Sequence, residues 1–320
     1  MSNSILKTLA YFDIFNTPLT KEEIFRWNWE ETAPDYLSFI KNLDSLADKK
    51  IIESKDGYYF LPGREDSVYL RQKTVPIIDK KMRTAVKGIK KIRWVPFIEA
   101  VFVCNTVAGA GVKPDSDIDV FIISQKGRLW ISRLLATLTL GIFRLRRNKT
   151  KIADRICLSF YATDDALDLS KIKIEGEDIY LIFWLDNLIP VYDPKNIQAK
   201  IKQANLWIKK YIPNSNTDYE TLDRWKVKDS GFSKYVKLFF EKSWEGKYGD
   251  LVEAQAKGIQ ITKMKLNFDS AQNKGGTGVI ISDSMLKFHE NDRREKYRDI
   301  WIKKIKAIEN GDNSTNNNQN

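Results

Sequence analysis

Apolar positions recur at helical spacing from the beginning of the chain. Ile5, Leu6, Leu9, Phe12 and Phe15 share one face of a predicted helix that stops at Asn16-Thr17-Pro18. Thr20 with Glu23 forms a capping box for a second helix. A third, from about Pro34 to Asp48, presents Tyr36, Phe39, Ile40, Leu43 and Leu46 on one side. Ile51-Ile52 and Tyr58-Tyr59-Phe60 then flank Lys55-Asp56-Gly57, and Asp-Gly between apolar runs signals a tight hairpin. Three helices and a hairpin predict a winged helix over residues 1–62, with 51–61 as the wing, and this unit is expected to fold separately.

Residues 63–95 are rich in Lys and Arg and predict connecting helices interrupted at Pro76. From Pro96 the pattern changes. Ile98 to Cys104 is a continuous apolar strand, Gly109, Gly111 and Pro114 mark a turn region, and Asp117 to Ser124 is a second strand. A helix over 127–147 and a third strand over 155–161 complete an α/β unit on a small mixed sheet, spanning 96–175. Residues 176–308 read as mostly helical, with segments at 180–188, 197–211, 232–265 and 284–308 and a polar loop at 267–277. The tail, 309–320, is low-complexity Asn and Ser that cannot bury a core. The fold class expected is α+β.

Composition changes this picture little. Hydrophobic residues at 42% and charged residues at 30% describe a globular chain, and the net charge of +11 favours polyanionic partners such as nucleic acid or nucleotides. Cys104 and Cys157 both lie in apolar runs and predict buried thiols rather than a disulfide framework. The first residues lack a signal-peptide pattern. The longest apolar window, Leu134 to Phe143, is about half the ~20 residues a membrane span needs. A cytoplasmic location without a membrane partner is expected.

The candidate chemistry sits in Ser116-Asp117-Ile118-Asp119-Val120-Phe121. Two aspartates two apart at the start of a strand project from one face, while Ile118 and Val120 point into the core. Like charges so close raise each other's pKa unless a cation stands between them, and hard carboxylate oxygens suit Mg²⁺ or Mn²⁺.

An apolar strand, a glycine-containing turn and an Asp-x-Asp pair opening the next apolar strand together resemble the DNA polymerase beta-like nucleotidyltransferase superfamily over roughly residues 97–124. In that superfamily a Gly-Ser or Gly-Gly step after the first strand cradles the triphosphate. The step falls here on Asn105-Thr106, where Asn tolerates left-handed backbone and Thr keeps a hydroxyl. The resemblance implies a metal-dependent transfer of a nucleoside monophosphate from an NTP to an acceptor. Asp117 and Asp119 would hold the metal, with Asn105, Thr106 and Ser116 toward the phosphates. A third carboxylate belongs on a later strand, but Ile156 to Tyr161 carries none. Asp154 is the first candidate, ahead of Asp164 and Asp165; without one within ~5 Å of the pair an acceptor hydroxyl has no evident base.

Among the basic residues after the metal strand, Arg128 and Arg133 lie nearest in sequence and are the expected phosphate contacts, ahead of Arg144, Arg146, Arg147 and Lys151. His289 reads as a structural or solvent-facing residue, with an alternative role beside Lys287 and Arg293 if the last helix folds back over the site. Gly275-Gly276-Thr277-Gly278 lacks a preceding strand and a following Lys and reads as a loop. The second functional reading is a winged-helix binder of nucleic acid or protein whose other domain senses a nucleotide without transferring it. Against it, Glu30, Glu31, Asp35, Asp44 and Asp48 oppose Lys41, Lys49 and Lys50 around the third helix.

Overall fold

The computed structural model describes residues 2–32, 35–215, 221–265 and 277–310. Pro34, most of the 267–277 loop with Gly275 and Gly276, and nearly all of the 309–320 tail lie outside them.

The amino-terminal segment forms α1 (Ser2–Asp13), β1 (Leu19–Thr20), α2 (Lys21–Arg26), α3 (Tyr36–Asp48), β2 (Glu53–Lys55) and β3 (Tyr58–Phe60). Thr20 caps α2 reciprocally with Glu23, and Asp35 caps α3 through Ser38 N. Asp56 and Gly57 both take positive φ, 52° and 78°, as a two-residue hairpin turn between β2 and β3 requires. The strands form a three-stranded antiparallel sheet in the order β1-β3-β2.

One helix, α4 (Asp66–Ile92), runs through Pro76 without interruption. The expected break is absent; the helix is held along one face by buried Met82, Ala85, Val86, Ile89 and Ile92, enough packing to offset a missing N–H.

β4 (Ile98–Val103), α5 (Asn105–Ala108), β5 (Ile118–Ser124), α6 (Leu129–Ile142) and β6 (Ile156–Thr163) follow as the apolar pattern predicts. Beyond them the chain alternates: α7 (Ile179–Asp186), β7 (Ile189–Tyr192), α8 (Ile197–Ala204), α9 (Gly231–Ser243), α10 (Gly246–Lys265), β8 (Val279–Ile281), β9 (Met285–Phe288) and α11 (Arg294–Glu309). The carboxyl-terminal region is therefore not simply helical. Three of its segments are strands, and the helix expected from residue 284 begins only at Arg294. They complete a six-stranded mixed sheet ordered β7-β4-β5-β6-β9-β8, in which only β5 and β6 pair in parallel.

Both faces of this sheet are covered. Phe102, Phe121, Phe160 and Ala162 join α1, α7 and α11 in one core, while Val101, Val120, Ile122 and Tyr161 join α4, α6 and α10 in the other. No helix among the described residues is long and apolar enough to cross a membrane.

Candidate metal and nucleotide site

The parallel pairing of β5 and β6 builds the site. A parallel pair needs a crossover, here α6, and the two strands start at the same edge. Register places Cys157 beside Asp119. Oxygens of Asp117 and Asp119 and the Cys157 sulfur all lie within 4.8 Å of one another. Around one divalent ion only one pair of donors can stand opposite, about 4.2–4.6 Å apart, and adjacent donors stand about 3 Å apart, so the three could share a single ion once drawn closer together.

The charges explain what such an ion would do. Burial first, and then Asp117 beside it, pushes the Asp119 carboxyl up to about 6, against hydrogen bonds from Asn105 and Cys157 and the nearby Arg147. Burial and the two carboxylates push the Cys157 thiol up to about 12. Arg147 Nε lies 3.1 Å from Asp117 Oδ2 and its Nη1 3.6 Å from Cys157 Sγ, so one side of the pair is already neutralised. That leaves room in charge for one cation rather than two.

Asn105 stands between this edge and a neighbouring cavity. Its φ is +55°, the left-handed backbone that Asn tolerates. Its Oδ1 accepts from Trp184 Nε1 at 2.8 Å and Tyr180 OH at 3.3 Å, which turns its amide toward Asp119. Thr106 follows on α5. The cavity, about 150 Å³, is walled by Asn105, Phe160, Trp184, Tyr297 and the segment from Lys287 to Arg294. Lys287, His289 and Arg293 thus do gather beside Asn105, brought there by β9 pairing with β6 as well as by α11. His289 is half-buried: burial and Lys287 push its pKa down to about 4, and its buried Nδ1 has no hydrogen-bond partner. Burial and Arg294 bring Lys287 down to about 8.

Other expected members go elsewhere. Asp154 is held by Lys80 at 2.6 Å and Lys81 at 3.0 Å, and these two lysines keep its pKa below the usual carboxylate value against its partial burial. It belongs to the scaffold of the loop and not to the donor cluster, which among the described residues contains no third carboxylate. Asp164 and Asp165 stand at the opposite end of β6, bonded to Lys126 N and to Thr163. Ser116 donates its hydroxyl to Lys113 O, and its carbonyl accepts from Lys81 Nζ. Arg128 reaches Asp250 and Trp244 O, and Arg133 reaches Gln260; both anchor α10 instead of facing the carboxylates.

Comparison with protein-family models, with curated proteins and with solved structures gives no match to this chain.

Proposed function

We propose that the chain binds a nucleoside triphosphate together with one divalent cation, at a nucleotidyltransferase-type site whose third donor is a thiol. The observation that carries this reading is the convergence of Asp117, Asp119 and Cys157 within 4.8 Å at the start of two parallel strands. The cation would offset the burial and then the Asp117 repulsion that raise the Asp119 pKa, and would supply positive charge toward the phosphates. Oxygen and sulfur donors together favour Mn²⁺ over Mg²⁺. Asn105 and Thr106 would face the phosphates, and the cavity beyond Asn105 has aromatic walls suited to a planar ring. The winged-helix reading of residues 1–62 rests on the order of its helices and hairpin, and in this proposal that unit serves protein contacts.

Thermal melting tests the proposal. Mn²⁺ with NTP should raise Tm through linkage, and Asp117→Asn with Asp119→Asn should remove that rise while the apo fold persists. A rise of equal size in the double variant would exclude the site.

A second reading, transfer of a nucleoside monophosphate to an acceptor, is favoured by His289, uncharged at neutral pH and lining the cavity beyond Asn105, where it could accept a proton. Label passing from NTP to an acceptor in wild type but not in Asp119→Asn would establish it.

A further inference from the structure

The 144–155 loop gathers cations, of which only Arg147 meets a carboxylate among the described residues. A recess of about 300 Å³ is lined by Arg144, Arg146, Arg147, Lys151 and Arg155, with Gly141 and Asn148 and no acidic side chain. Arg144, Arg146, Arg147 and Lys151 are exposed. Among the described residues no carboxylate lies in ion-pair distance of Arg144, Arg146 or Lys151; the only acid of the loop, Asp154, is turned inward to Lys80 and Lys81. The loop is nonetheless tightly built. Asn148 Oδ1 accepts from Thr150 N, Thr150 Oγ1 and Lys151 N, Arg147 N donates to Ile156 O, and Arg155 donates to Arg144 O. Holding like charges together in a fixed recess costs electrostatic energy that an anion would recover.

The recess adjoins the carboxylate edge, because Arg147 lines it and also contacts Asp117. Phe143, next to Arg144 in sequence, is exposed, with Lys91 Nζ 4.3 Å from its ring centroid. We infer that this recess binds the phosphate backbone of a single-stranded nucleic acid and leads the strand past Asp117. Guanidinium forks suit phosphate oxygens, a strand enters a concavity that a flat bilayer spans, and the exposed Phe143 ring beside Arg144 in sequence has one face left on which a base can stack. The surface differs from the α3 and hairpin surface of residues 1–62, where acidic and basic residues alternate. It does not depend on the metal reading, since no donor of the metal cluster supplies its charge.

The test is fluorescence anisotropy of the full chain with a labelled single-stranded oligonucleotide, in EDTA, across a salt series. Wild type should bind with an affinity that falls steeply with salt. Arg144→Glu, Arg146→Glu, Lys151→Glu should weaken binding by at least about tenfold and flatten the salt slope by roughly 2, as loss of three phosphate contacts to a single strand requires. The matching Gln variant, checked by its melting curve, should fall between the two and guards against misfolding of the Glu variant. Lys41→Glu, Lys49→Glu, Lys50→Glu should bind as wild type. Unchanged binding by both the Glu and Gln recess variants overturns the inference, as does loss of binding only in the α3 variant. Sedimentation with phosphatidylserine vesicles without oligonucleotide binding would overturn it in favour of a membrane surface.

Discussion

Asp119 carries the electrostatic cost of the site. An aspartate of ordinary pKa near 3.8 in the unfolded chain and about 6 in the folded one binds more protons when folded between those values. Stability therefore declines as pH rises through that window, and Asp119→Asn should stabilise the apo protein at pH 7 to 8, by on the order of 1–3 kcal/mol. The gain should shrink as pH falls toward 4. Urea melts of both proteins across pH check this, and a gain that grows on acidification would contradict it. Cys157 makes a second case. Cys157→Asp should shift cation preference from Mn²⁺ toward Mg²⁺, whereas Cys157→Ala should weaken Mn²⁺ binding; calorimetric titration reads both. The aspartates were legible in the sequence because charges opening an apolar strand demand an explanation. Cys157 was not, since a thiol inside an apolar run looks like core, and its meaning depends on a cross-strand neighbour.

Direction and length of single elements decide which residues meet. β5, seven residues at ~3.3 Å each, and α6, fourteen at ~1.5 Å, have nearly the same length, so the crossover returns the chain to its starting edge. Arg128 and Arg133 begin that return at the far end, bonded to α10, while Arg147 completes it at Asp117. α4 secures the same edge. Lys81, fully buried, donates to Ser116 O at 2.5 Å, Pro114 O at 3.3 Å and Asp154 Oδ1 at 3.0 Å. Lys81→Met should leave these acceptors unpaired, lowering stability by about 2–4 kcal/mol and loosening the turn before Asp117. Denaturant melts measure the first effect and hydrogen exchange of residues 114–119 the second. A stability equal to wild type would show that Lys80 alone suffices. β8 and β9 were hidden for a different reason: Met285-Leu286-Lys287-Phe288 is too short for periodicity to separate strand from helix.

At the scale of the molecule, the buried residues of the amino-terminal segment share one core with α7 and α11. Trp29 packs 5.9 Å from Phe183 of α7 and 5.1 Å from Trp301 of α11, and Tyr11 stacks on Phe183 at 4.5 Å. Trp27 Nε1 donates to Asp186 at 2.8 Å, Trp301 Nε1 donates to Lys7 O at 2.9 Å, and Lys304 pairs with Asp13 at 2.6 Å. Helix periodicity showed that α1 to α3 have apolar faces. It could not show that those faces continue into elements more than a hundred residues away, because amphipathicity names a buried side without naming what covers it. Residues 1–62 alone would therefore expose Trp29 and the inner faces of Tyr11 and Phe12, and the sheet of two- and three-residue strands is too small to compensate. An isolated 1–62 fragment should melt without a cooperative transition, whereas the full chain should lose the α1–β3 unit and α7 together. Trp301→Ala in the full chain should cost about 3–5 kcal/mol and lower the protection of amides in α1 along with those of α11. Circular dichroism of the fragment and hydrogen exchange of the variant make the comparison. A sharp two-state melt of the fragment, or a Trp301→Ala effect confined to α11, would mean that the first 62 residues are self-sufficient and only lean on the rest.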